Sequence, residues 1–219
     1  MFAHDGSRDD TAHAAMSQMI VPATQTTVEQ ALAEIKSFAR DMVEAQDMCL
    51  HVGERLERIV FQVETLKPQT SLQATDRFII VLGDYLAFLT EFAKKKAVFR
   101  LVYNRAIVER CVRFHADVDQ LLRGLDLPED AWRGRWEEYK KATQVAFEVM
   151  STDKRKLVGD LQDAQQQIKA QTLLQFEFSK GTSRYTQNEL NVLNKAFTIV
   201  SQFAETSGQA VAPWFLPPY

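Results

Sequence analysis

Two apolar stripes in the segment from Thr75 to Leu127 constrain the fold of this chain more than any other feature. The segment reads TDRFIIVLGDYLAFLTEFAKKKAVFRLVYNRAIVERCVRFHADVDQLLRGLDL. Its apolar residues recur at steps of three and four, the spacing that places side chains on one face of an α-helix. No proline interrupts it, so the commonest helix breaker is absent. The pattern predicts two consecutive amphipathic helices. Their apolar positions are Phe78, Val81, Leu82, Tyr85, Phe88, Leu89 and Phe92, then Ile107, Cys111, Phe114, Val118, Leu121, Leu122 and Leu125.

A third stripe precedes this segment and runs from Val28 to Leu66. One unbroken helix over that stretch would be roughly 60 Å long. Because compact domains seldom contain so long a helix, we expect two helices with a hinge near residues 46–48. Thr26 followed by Glu29 predicts a capping box where the first helix begins.

Further boundaries follow from the stripes and from turn residues. We predict a third helix over residues 72–95 and a fourth over residues 104–125, with a short helical turn through Val98, Phe99 and Leu101 between them. Pro128 suits the first turn of the next helix. Thr186 with Glu189 predicts a second capping box.

These elements predict an all-α fold. We expect an antiparallel four-helix bundle over residues 26–127, followed by brace helices over residues 128–207 that pack against it. Residues 1–25 are polar, small and aperiodic, which predicts a disordered tail. Residues 208–219 are rich in proline and aromatic residues and are expected to be a linker.

The charge of the chain is unevenly distributed. The net charge is −3, yet the stretch from Lys94 to Arg123 holds eight Lys/Arg residues against three acids. We call its most concentrated part the basic elbow, which comprises Lys94, Lys95, Lys96, Arg100 and Arg105. Such a cluster either binds anionic lipid headgroups or faces water as an ordinary helix end. Nucleic acid is not an expected partner, because aromatic residues are not interleaved with the cations.

Catalytic and metal-binding patterns are not found in the sequence. Cys111 and His115 lie four residues apart on one helix face, as a nucleophile and its base would. Cys111 belongs to an apolar stripe, however, so we interpret both residues as core packing. We expect no enzyme activity, no metal and no cofactor. Three features predict a cytoplasmic protein. The two cysteines are expected to be buried free thiols, no apolar run is long enough to span a bilayer, and the first residues are acidic.

Trp132 and Trp136 share one face of the helix after Pro128. Aromatic residues dominate binding hot spots, so the pair is a candidate partner contact. The other interpretation is that both residues pack the brace helix onto the bundle.

Residues 41–127 resemble the N-terminal helical domain of the mixed lineage kinase domain-like pseudokinase family and of related plant, fungal and oomycete domains. The similar stretches are MVEAQDMCLHVGERLERIVFQVETL and the segment quoted first, including TEFAKKK at residues 90–96 and FRLV at residues 99–102. Residues 129–207 resemble the brace that follows in that family. The ending PWFLPPY resembles the lead-in to a tyrosine-kinase-like domain.

The resemblance implies a regulatory domain with a kinase-like domain in cis. On activation such a bundle oligomerises and contacts phosphoinositide-rich membrane at the inner face of the plasma membrane. Lys94, Lys95, Lys96, Arg100 and Arg105 are the residues that would carry the lipid contact. The chain departs from the animal pattern between residues 26 and 66, where acids outnumber the Lys/Arg residues.

Three functions therefore remain open. The first is a regulatory bundle that self-associates or contacts membrane when its brace is released. The second is an adaptor that docks a partner helix without touching lipid. The third is an autoinhibitory spacer.

Overall fold

The computed structural model describes residues 15–66, 72–159, 161 and 163–206, and these residues form an almost entirely helical fold. The all-α prediction is confirmed. The linker predicted at residues 208–219 and the first part of the predicted tail lie outside the described residues. The helices are α1 Val28–Asp41, α2 Gln46–Leu66, α3 Leu72–Ala93, α4 Ala97–Val102, α5 Asn104–Gly124, α6 Trp132–Thr152, α7 Lys154–Val158, α8 Ala164–Ser179 and α9 Gln187–Thr206.

Residues 15–27, which precede α1, pack against α1, α2 and α3. A 3-10 turn, Met16–Gln18, leads into a two-stranded hairpin of β1, Ile20–Val21, and β2, Thr26–Thr27. Met16 and Val21 are buried beneath it. The prediction of a disordered tail was therefore wrong from residue 15 onward, because Met16 and Val21 anchor the segment to the core, with Met19 packed against it.

The first helix begins one residue later than predicted. Thr27 is the N-cap: its Oγ1 accepts from the Gln30 amide at 3.2 Å, and the Gln30 side chain accepts from the Thr27 amide at 3.0 Å. Thr26 is paired in the hairpin instead. The second capping box is confirmed, since Thr186 Oγ1 accepts from the Glu189 amide at 3.3 Å and Glu189 accepts from the Thr186 amide at 2.7 Å.

Residues 28–66 form two helices, as expected, but the break lies before the predicted hinge. α1 ends at Asp41, and a 3-10 turn, Val43–Ala45, leads into α2 at Gln46. Glu44 in this turn is buried and ion-paired with Arg100 of α4. This ion pair, which local periodicity does not reveal, joins the turn at the break to α4.

Pro128 is not in the first turn of a helix. Leu127 is buried, residues 128–131 are non-helical, and α6 begins only at Trp132. The non-helical segment brings Asp130 to Arg55 of α2, with Arg55 Nε donating to Asp130 Oδ2 at 3.0 Å.

Two apolar clusters fill the interior. The first core is built mainly by α1, α2, α3 and α5, with α1 packing on α2 and α3, and α5 packing on α2 and α3. The second core is built by α4, the end of α6, α7, α8 and α9. Helix α6 contacts both, because Trp136 and Tyr139 pack against the first core while Phe147 and Met150 belong to the second.

Candidate functional site

A basic cleft opens between the α3–α4 junction and helix α7. It has a volume of about 990 Å³. Lys94, Lys95 and Lys96 line one side, and Arg155 and Lys156 of α7 line the other. The remaining lining includes the 3-10 turn after α1 and apolar residues of α6, namely Val43, Glu44, Ala146, Val149 and Met150. Five cations thus line one open space, and although Asp163 also lines it, the cations are in excess, which is the arrangement expected of a site for an anionic group.

Aromatic rings from three parts of the fold lie beside two of the cleft lysines. The Lys95 ammonium lies 5.1 Å from the Phe92 ring centroid and 5.7 Å from that of Tyr103, and it pairs with Glu91 at 2.9 Å. The Lys94 ammonium lies 6.0 Å from the Phe38 ring centroid. Cation–π contacts of this kind are worth about 0.5–1 kcal/mol at exposed sites. These ring contacts leave the charge of Lys94 and Lys95 unchanged, and the Glu91 carboxylate partly balances that of Lys95.

Arg100 lines the cleft, but its charge is balanced within the fold. Its Nε and Nη2 donate to the two carboxylate oxygens of Glu44 at 2.8 and 2.9 Å, and Nη1 donates to the Lys95 carbonyl. The side chains are only 12% and 8% exposed. A bidentate pair that is largely buried joins α4 to the turn between α1 and α2, so Arg100 has a structural role there.

Arg105 does not lie in the basic cleft. Its Nε donates to Glu109 at 3.2 Å, and its guanidinium lies 5.5 Å from the Tyr185 ring centroid, next to α9. The fold therefore separates the predicted basic elbow into three cleft lysines, one paired arginine and one distant arginine. Arg155 and Lys156 were not singled out from the sequence, although the run Lys154–Lys156 was a visible signal.

A second polar constellation lies beneath the start of α6, and we call it the Arg55 network. It comprises Arg55 of α2, His115 and Asp119 of α5, Asp130, and Trp132 of α6. The Arg55 side chain is 1% exposed and donates to Asp119 Oδ1 at 2.5 Å and to the His115 carbonyl at 2.9 Å. Trp132 Nε1 donates to Asp119 at 3.0 Å. A desolvated guanidinium requires such partners, so α2, α5 and α6 are joined at one point.

The protonation states of the network follow from its burial. Burial, with the nearby Arg55 charge, lowers the pKa of His115 to about 3, so the ring is neutral and its Nδ1 accepts from Arg55 at 3.0 Å. Burial alone would raise the pKa of Asp119. Hydrogen bonds from Arg55 and Trp132 outweigh that effect and lower the pKa, so Asp119 is an anion at neutral pH.

Trp132 and Trp136 both face inward. The Trp132 ring stacks on His115 with centroids 4.4 Å apart and an interplanar angle of 11°, and Trp136 meets Trp132 edge-on at 5.7 Å. Trp132 is 5% exposed. This placement puts the two tryptophans between α6 and the α2–α5 pair.

Cys111 and His115 do not form a nucleophile–base pair. The Cys111 Sγ lies 3.9 Å from Cys49 Sγ, whereas His115 Nδ1 is bonded to Arg55. A hydrogen bond with Cys49 and burial raise the pKa of the Cys111 thiol well above its usual range, which disfavours the reactive thiolate. Among the described residues, no group of three or more His, Cys, Asp or Glu side chains is arranged to hold a metal ion.

Comparisons with models of protein families, with curated proteins and with solved structures gave no match for this chain. The family resemblance drawn from the sequence therefore stays a prediction. None of the helices in the described ranges is long and apolar enough to cross a bilayer.

Proposed function

We propose that this chain is a non-catalytic regulatory domain whose C-terminal helices form a releasable brace. In this proposal α1, α2, α3 and α5 are the four-helix bundle, and α6 to α9 are the brace. Release permits self-association of the bundle and contact with anionic lipid headgroups at the membrane surface. A kinase-like domain in cis, as the sequence resemblance implies, would control the release.

The observation that carries the proposal is the polar attachment of the first half of α6. That half meets the bundle through Trp132, Trp136 and the Arg55 network. Helix α6 also packs against the turn Val43–Ala45, and its second half belongs to another core. The Arg55–Asp119 pair is complete between α2 and α5 without α6. Displacing α6 would therefore remove the Trp132 donor and the Asp130 carboxylate but leave the central ion pair intact. An attachment of this kind separates at one end without dismantling the bundle.

The basic cleft supports lipid engagement. Like charges on the α3–α4 junction and on α7 repel one another across the cleft, which favours displacement of α7 and leaves the three lysines open to anionic headgroups. Each cation near an anionic membrane contributes about 1 kcal/mol, so three lysines supply about a hundredfold in affinity. Because α7 belongs to the brace, anion binding and brace position are coupled at this site.

Flotation with phosphoinositide-containing liposomes tests the lipid contact. The variant Lys94→Gln, Lys95→Gln, Lys96→Gln should lose capture roughly a hundredfold. Its matched control, Lys140→Gln, Lys141→Gln, Lys195→Gln, removes the same net charge away from the cleft and should retain capture. Capture should also weaken as salt increases, since exposed charges are screened. Equal capture by both variants, with folding verified by circular dichroism, would refute lipid binding at the cleft.

The adaptor function is the alternative, and one surface feature favours it. Apolar side chains are exposed where α2 ends and α3 begins: Phe61 is 67%, Leu66 is 63% and Leu72 is 83% exposed. An amphipathic helix of another protein would cover such a surface through apolar contacts. A partner retained by the triple cleft variant and by high salt would support the adaptor function over lipid contact.

A further inference from the structure

The two cysteines of this chain meet in the first core, although they are 62 residues apart in the sequence. Cys49 lies on α2 and Cys111 on α5, and both side chains are fully buried. Their sulfur atoms are 3.9 Å apart. The Tyr85 hydroxyl donates to the Cys49 carbonyl at 2.6 Å and closes the site from the α3 side. Each thiol is therefore in contact with the other inside an apolar core, so the other thiol is the partner with which it can react.

We propose that Cys49 and Cys111 are a modification site at which a small peroxide forms an intramolecular disulfide between α2 and α5. In the first step, one thiolate attacks a peroxide oxygen, the O–O bond breaks, and a sulfenic acid and hydroxide result. The hydroxide takes up the thiol's proton and becomes water. In the second step, the other sulfur attacks the sulfenic sulfur. An S–S bond forms, the S–O bond breaks, and a second water leaves with the remaining thiol proton. Two thiols are oxidised and one peroxide is reduced to two waters.

Burial of the two thiols determines which oxidant can reach them and which product forms. A peptide thiol such as glutathione is too large to enter a packed core, whereas hydrogen peroxide is small and uncharged. Once one sulfur is oxidised, the other is held beside it, and an intramolecular reaction of positioned groups outruns any bimolecular one. The raised pKa of the Cys111 thiol slows the first step at neutral pH, so the rate should increase as the pH rises.

The disulfide would join the same two helices that the Arg55 network joins. Cys111 lies one helical turn before His115 on α5, and Cys49 precedes Arg55 on α2. Cross-linking positions 62 residues apart reduces the freedom of the unfolded chain. The oxidised protein should therefore melt roughly 5–10 °C higher than the reduced protein.

Peroxide treatment of the whole chain, followed by alkylation, intact mass measurement and non-reducing peptide mapping, tests the inference. We expect the loss of two hydrogens, no alkylatable thiol and one peptide linking Cys49 to Cys111, all reversed by dithiothreitol. Low urea should accelerate the reaction, because local opening admits the oxidant. The variants Cys49→Ala and Cys111→Ala, which keep small apolar side chains, should not lose the hydrogens.

Three results would overturn it: stable sulfinic acid on one sulfur of the native chain, disulfide-linked dimers as the main product, or no oxidation at any urea concentration below the unfolding midpoint. Because lipid capture is measured separately, none of these results depends on the proposed function.

Discussion

Truncating Trp132 should detach the first half of α6 while leaving the first core folded. Trp132→Ala removes a ring that is 5% exposed, its stack on His115 at 4.4 Å and its hydrogen bond to Asp119 at 3.0 Å. Replacing a buried large aromatic residue by alanine costs about 3–5 kcal/mol. A hydrogen bond to a charged group accounts for about 1.5–3 kcal/mol. This loss of free energy should make α6 easier to open and leave α2 and α5 in place, because Arg55 and Asp119 keep their ion pair.

Hydrogen exchange measured by mass spectrometry shows which residues lose stability in the Trp132→Ala variant. Amides of residues 132–143 should exchange at least a hundredfold faster in the variant, as a loss of about 3 kcal/mol requires. Amides of α2 and α5 should keep their protection. Trp132→Phe keeps most of the ring but removes the N–H donor, so it should give a smaller acceleration in the same residues.

Phe147→Ala is the matched control, because Phe147 is a buried aromatic residue at the other end of the same helix. It should accelerate exchange in α8 and α9 and leave residues 132–139 protected. Loss of protection in α2 and α5 together with α6 in Trp132→Ala would contradict a separate opening of α6, because all three helices would then unfold as one unit. Unchanged protection of residues 132–143 would refute it equally.

Two further predictions concern charge. The pKa of His115 is about 3 in the folded chain and near 6.5 when unfolded, so the unfolded state binds more protons between these values and stability falls as the pH is lowered through that window. The loss is on the order of 5 kcal/mol, and it should appear in urea midpoints measured against pH and be smaller in His115→Asn. Glu44→Gln leaves Arg100 without its carboxylate and should cost about 3 kcal/mol in thermal or urea unfolding. Glu91→Gln removes the exposed partner of Lys95 and should cost less than about 1 kcal/mol; equal losses would show that burial of the Glu44 pair is unimportant.

The helices of this fold were predictable because each carries its own apolar stripe. The third helix begins at Leu72 as predicted and ends two residues early, and the fourth differs from its prediction by one residue. The spacing of apolar residues is a local property of the sequence, so it predicts a helix without any information on tertiary contacts. The break before α2 was misplaced because local periodicity does not reveal contacts such as Glu44–Arg100, which joins the turn at the break to a residue 56 positions away.

The candidate site was only partly predictable, for the same reason. Lys94–Lys96 were visible as a charge run, but their cleft is completed by α7, which no local pattern relates to them. Arg55 sits among the apolar positions of its stripe, three residues after Val52 and four before Ile59. A charged residue at an apolar position of the stripe was the sequence signal of a buried charge. Its partners Asp119 and Asp130 are 64 and 75 residues away, so the network itself could be found only from the fold.

The distance between α6 and α2, before and after membrane binding, tests the central claim of a releasable brace most directly. Spin labels on Glu54→Cys and Glu138→Cys, both exposed positions, would report it by pulsed electron paramagnetic resonance. A second pair, Glu54→Cys with Arg113→Cys, reports the α2–α5 distance as a control. Addition of phosphoinositide-containing liposomes should lengthen and broaden the first distance while the second stays constant. An unchanged first distance in captured protein would contradict the account.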